Sequence, residues 1–153
     1  MTDHPPQIHP TRNLCTPSGE LVPVDVGMAD LVQTLWTTGY TTLMCCQDAG
    51  EAIRGGGTQI PPERWERYAR FYDGFAWLTM PVGDMQRLVA LTADLAEGDG
   101  WAPNIRLRPT GPTAFASLHF PARQISEVIR RLDATQPGVS KGRHATGSDP
   151  DGR

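Results

Sequence analysis

Gly27 to Thr38 constrains this chain more than any other stretch. Met28, Leu31, Val32, Leu35 and Trp36 fall at the i, i+3, i+4, i+7, i+8 spacing, so the segment predicts a helix with one apolar side that must be covered. Gly39 supplies a left-handed stop. The pattern then changes: Tyr40 to Cys46 is aromatic, β-branched and small apolar, which predicts a short buried strand. A helix that hands over to a strand within one glycine calls for a fold in which helices pack on a sheet.

The rest of the central chain repeats that alternation. Gln47 to Pro61 carries Gly50 and the run Gly55-Gly56-Gly57 and reads as a mobile connection. Pro62 to Tyr72 predicts a short helix, with Pro62 in the first turn and Trp65, Tyr68, Ala69 and Tyr72 sharing a face. Phe75 to Met80 predicts a strand closed by Pro81. Asp84 to Ala96 predicts an amphipathic helix buried along Met85, Leu88, Val89, Leu91, Thr92 and Leu95. Asn104 to Arg108 and Thr113 to Phe120 flank Pro109-Thr110-Gly111-Pro112, a hairpin signal. Pro121 opens a last helix to about Ala134, striped by Ile125, Val128, Ile129 and Leu132. This order predicts an α+β domain: a four-stranded mixed or antiparallel sheet with helices mainly on one face. The order matches a circular permutation of the ferredoxin-like split βαβ unit with one extra terminal helix.

Composition sets the boundaries. The 153 residues and 39% hydrophobic content suit one core. Residues 1–19 are proline-rich without apolar period and read as a disordered arm. Residues 136–153 are polar and punctuated by Gly and Pro, and read as a disordered tail. The single domain is thus expected over 20–135. The opening residues carry no apolar segment of the secretory kind, and no run approaches the roughly 20 apolar residues of a membrane span. Three cysteines, two of them adjacent, read as reduced thiols of a cytoplasmic protein. A net charge of −3 speaks against a basic nucleic-acid surface over the whole molecule.

The chemistry-bearing residues gather at the end of the first strand. Alternation puts Cys45 and Cys46 on opposite faces, so one thiol is core. The other stands at the strand end with Gln47 and Asp48, beside the glycine-rich connection, where a rigid scaffold meets a loop. The bland reading makes both cysteines small core hydrophobes and Asp48 a turn cap. His119 shares a strand face with Phe115 and Ser117 and is a candidate base for a Cys46 nucleophile, against the commoner reading of a boundary histidine. Arg106 and Arg108 project from one face, near Trp77 or Phe75, where an anion or a base could be held; a solvated arginine face is the plainer account. His4, His9 and Cys15 match no zinc spacing, Gly55-Gly56-Gly57 lacks the ending of a phosphate loop, and no metal or cofactor is expected.

Val22-Pro23-Val24-Asp25, then Leu31, Leu35-Trp36, Gly39, Thr42 and Cys46-Gln47, resemble the pattern of small proteins of actinobacteria and their phages. Ser117-Leu118-His119-Phe120-Pro121 resembles theirs as well, so the likeness covers most of Val22 to Ala134. It implies no activity, but it singles out Cys46 over Cys45, which stands where those proteins have serine. A fainter resemblance is to the wybutosine-synthesis methyltransferases of tRNA modification, which carry Ser-Cys-Ser-Gly-Arg; here the run is Cys45-Cys46-Gln47-Asp48-Ala49. With the second serine, the glycine and the arginine missing, neither activity nor cofactor carries over. The expectation is a binding or accessory domain for a protein or small-molecule partner docking at Cys46, Gln47 and Asp48. Its rivals are a small enzyme using Cys46 and His119, and nucleotide or nucleic-acid binding on the Arg106 and Arg108 face.

Overall fold

The computed structural model describes residues 9–56, 60–107 and 114–136. The chain opens with β1 (Thr11–Cys15) and β2 (Leu21–Asp25), paired antiparallel from Thr11 opposite Asp25 to Cys15 opposite Leu21. The turn between them follows from Thr16-Pro17-Ser18-Gly19. Proline presets the first turn residue, Gly19 takes φ +92°, and its N–H donates to the Thr16 carbonyl at 2.9 Å. The segment expected to be a disordered arm therefore contains a strand, and the ordered domain starts before residue 20. Leu14 and Val24 supply the reason, because both bury their side chains against the main core.

Helix α1 (Val26–Thr37) buries Met28, Ala29, Leu31, Val32 and Leu35. It stops as expected: Gly39 at φ +89° lets its N–H reach the Trp36 carbonyl and lets the Tyr40 N–H reach that of Leu35. Strand β3 spans only Met44–Cys46, shorter than the segment expected from Tyr40. Residues 40–42 are tied to helices instead, with the Thr41 N–H on Asp84 and the Trp36 indole N–H on Thr42. Helix α2 (Ala49–Arg54) then occupies much of what reads as a mobile connection. A one-turn 3-10 helix (Pro62–Arg64) leads into α3 (Trp65–Tyr72). Gly50 lets α2 lie on α3, since a Cβ there would meet the Asp73 carboxylate and the Ala69 carbonyl.

Strand β4 (Phe75–Pro81) is followed by α4 (Val82–Leu91) and α5 (Ala93–Ala96). The single helix expected here breaks at Thr92, whose buried hydroxyl donates to the Leu88 carbonyl at 2.8 Å. Strands β5 (Ala102–Leu107) and β6 (Ala114–Pro121) and helix α6 (Ile125–Ala134) complete the chain, with a 3-10 turn (Ala122–Gln124) before α6. The expected turn at Pro109 to Pro112 lies outside the described residues, as does the tail beyond Gln136.

The main sheet runs β3-β4-β6-β5 with every neighbour antiparallel. The fold is α+β. The link from β4 to β5 carries α4 and leaves room for β6 between them. On the helix-covered face large residues stand opposite small ones: Ala76 opposite Phe120, Met80 opposite Ala116, with Leu78 opposite Leu118 in the middle. Met28, Leu31, Leu35, Leu88, Val128 and Leu132 from the helices close over them. Each such side chain contributes roughly 1.5–3 kcal/mol when fully buried. Among the described residues no helix is long and apolar enough to cross a membrane.

Candidate functional site

The second face of the sheet carries the row Cys46, Trp77, His119 and Ala102, one residue from each strand in register. Cys45 points the other way, opposite Leu78, and packs against the core. The division of the two thiols between faces follows the expected alternation. Cys46 and His119, however, have β4 between them, which separates them by two strand spacings, about 9.6 Å. That spacing is between the two backbones; the polar contacts of Cys46 among the described residues are to a different histidine and to the Asp48 carbonyl. His119 lies instead against the Tyr72 ring at 4.5 Å and the Trp77 ring at 6.3 Å.

The histidine at Cys46 is His9. It stands just before β1, is 6% exposed, and brings Nδ1 to 3.7 Å from the Cys46 sulfur. The same Nδ1 is 3.1 Å from Asp25 Oδ2, and Nε2 is 2.7 Å from Glu51 Oε2. Three elements deliver these partners: the end of β2, the end of β3 and the first turn of α2. The donor atoms of His9, Asp25 and Cys46 all lie within 4.8 Å of one another.

Two capping positions have been given over to this cluster. Asp25 occupies the N-cap of α1, yet its side chain makes no cap bond. Its Oδ2 accepts the Gln47 N–H at 3.0 Å and faces His9. Gln47 takes over the cap, its Oε1 accepting the Gly27 N–H at 2.8 Å. A Cβ at residue 27 would sit 2.7 Å from the Gln47 oxygen, so any other residue there must displace the capping side chain. Glu51 is the third helical residue after its cap Asp48, a place from which glutamate commonly turns back to the cap. Here it extends to His9.

Asp48 works differently. Its Oδ1 accepts the Glu51 N–H and its Oδ2 accepts the Gly74 N–H, so it holds α2 to the start of β4. Its main-chain carbonyl accepts from Cys46 at 3.3 Å. Burial pushes the Cys46 thiol up to about 11, and nearby Asp25 adds to this while the bond to Asp48 offsets part. Cys45 is pushed up to about 12, again chiefly by burial. Neither is an acidic thiol of the kind nucleophilic catalysis uses.

The remaining expected residues lie elsewhere. Arg106 occupies β5 opposite Phe115, and only its strand position is described; Arg108 is outside the described residues. Cys15 is exposed at the far end of β1. A groove of about 410 Å³ runs between α4 and β5, lined by Val82, Met85, Val89, Ala93, Pro103 and Ile105, on the helix side of the sheet. No family model, curated protein or solved structure matches the chain. The site rests on its own geometry.

Proposed function

We propose that this protein is a binding domain that holds a small polar ligand or ion where the β1–β2 hairpin meets the end of β3. The observation that carries the reading is the convergence on His9. A buried imidazole just ahead of the hairpin meets a thiol and two carboxylates from three other places in the chain. The imidazole gathers a chemically mixed set at the edge of the sheet. The Asp25 and Glu51 carboxylates are 16% and 59% exposed, so the cluster is open on one side. Gln47 supports the site by capping α1 in place of Asp25.

The reading extends to kinship, fold and place: a relative of the small actinobacterial and phage proteins, on a permuted ferredoxin-like sheet, working in the cytoplasm. Cys46-Gln47 at the site supports the first, the order β3-β4-β6-β5 the second, and three unpaired thiols the third.

Alkylation by iodoacetamide reads the site directly. A panel of divalent cations, small carboxylates, nucleotides and sugar phosphates is added to the full chain. Modification at Cys46 is then followed by peptide fragmentation, which separates it from Cys45, with exposed Cys15 as internal reference. A ligand of this site slows Cys46 and leaves Cys15 unchanged, and Asp25→Asn loses the protection. A panel in which nothing slows Cys46 relative to Cys15 overturns the reading.

A further inference from the structure

We infer that His9, Asp25 and Cys46 form a three-residue site for a zinc-class divalent ion, with a fourth coordination position left for water or an external ligand. The inference deepens the binding reading above and rests on it. Three observations carry it.

The first is distance. Tetrahedral zinc with bonds of roughly 2.05 Å to nitrogen, 2.1 Å to oxygen and 2.3 Å to sulfur sets the N···O edge near 3.4 Å and the N···S edge near 3.6 Å. The corresponding separations are 3.1 Å between His9 Nδ1 and Asp25 Oδ2, and 3.7 Å between Nδ1 and the Cys46 sulfur. The two edges that meet at Nδ1 are thus close to those of such a polyhedron, and the third, between the Asp25 carboxylate and the Cys46 sulfur, is no longer than 4.8 Å.

The second is a count of protons. Both ring nitrogens of His9 face a carboxylate oxygen, and a neutral imidazole has only one N–H to give. With the Nε2 N–H given to Glu51, Nδ1 turns a lone pair toward Asp25 Oδ2 and the Cys46 sulfur, an arrangement that a cation between the three would satisfy. The third is Glu51. A carboxylate on the far nitrogen of a metal-bound histidine fixes the tautomer and strengthens the ligand. Glu51 Oε2, 2.7 Å from Nε2, occupies that position.

The donor set selects the metal. Thiolate and imidazole favour zinc and its neighbours over magnesium or calcium, which take oxygen ligands. Three protein ligands leave the fourth place open, as in sites that bind or activate a small molecule. On binding, the metal–sulfur bond replaces the S–H bond of Cys46, and that proton passes to solvent.

The test uses the full-length protein stripped with a chelator, titrated with Zn2+ by calorimetry and with Co2+ by absorption spectroscopy. Wild type takes up a single ion per chain, and Co2+ gives the intense visible bands of tetrahedral geometry with a near-ultraviolet band from the thiolate. Cys46→Ala loses the thiolate band, Cys15→Ala keeps it, and Glu51→Gln weakens Zn2+ by roughly 10- to 100-fold with the band retained. Circular dichroism confirms that each variant is folded, and wild type alone decides the geometry should Cys46→Ala fail to fold. Absence of stoichiometric Zn2+ uptake, octahedral cobalt spectra, or a thiolate band that survives Cys46→Ala overturns the inference. If zinc is refused while a nucleotide or carboxylate still shields Cys46 from alkylation, the metal assignment falls and the binding reading stands.

Discussion

At the scale of single residues, the site is built by reassigning side chains that would ordinarily end helices. Asp25 leaves its cap, Gln47 fills in, and Gly27 makes room. Cys46 and Gln47 are legible in sequence, because strand alternation and the strand end place them. His9, Asp25 and Glu51 are not, since each is 16 or more positions from its partners and only tertiary register joins them. Asp48 is the counter-example: the turn-cap reading describes its side chain better than a ligand-binding role does. With both oxygens holding main-chain N–H groups, Asp48→Ala is expected to cost roughly 1–2 kcal/mol in urea unfolding. Asp48→Asn keeps an acceptor for the cap and is expected to lose less. Equal stability of Asp48→Ala and wild type would show that these amides find other partners.

At the scale of elements, what was readable was what repeats. α1 declares itself through five apolar positions on one face and a terminal glycine; β4 and β6 do so through residues that pack on a common core. The β1–β2 hairpin gives a weaker signal, because its strands have five residues each and Pro23 sits in the second. Its sign was the turn Thr16-Pro17-Ser18-Gly19 between Leu14 and Val24. Helix α2 is six residues among glycines, and only the spacing of Asp48 and Glu51 announces its start. The hairpin's contribution can be measured by contrast. Leu14 is buried while Leu21, across the turn, is exposed. Leu14→Ala is expected to cost about 2–3 kcal/mol, and Leu21→Ala less than about 0.5 kcal/mol. A dispensable arm would leave both variants at wild-type stability in thermal unfolding.

At the scale of the whole molecule, arginine-carboxylate pairs fasten the outer helices to the rest. Arg131 of α6 reaches across to Asp94 of α5 and also to Glu127, which in turn pairs with Arg130. Arg54 of α2 binds Asp73 at the end of α3 and Glu66 within it. The arginines hold these carboxyls below their usual range: Arg130 first and Arg131 second bring Glu127 to about 2, and Arg131 lowers Asp94. A carboxyl depressed on folding contributes its stability above its unfolded value, about 4.3 for glutamate, and loses it as pH falls through the folded value. The thermal midpoint is therefore expected to hold between about pH 7 and pH 5 and to decline from about pH 5 to pH 2. Because these pairs are solvent-exposed, each is worth little and salt screens it. Glu127→Gln should flatten part of the decline in dilute buffer, and the difference from wild type should shrink at about 1 M salt. Scanning calorimetry across that pH range checks both, and parallel profiles for the two proteins at low salt would mean that the α5–α6 junction is held by its apolar contacts alone.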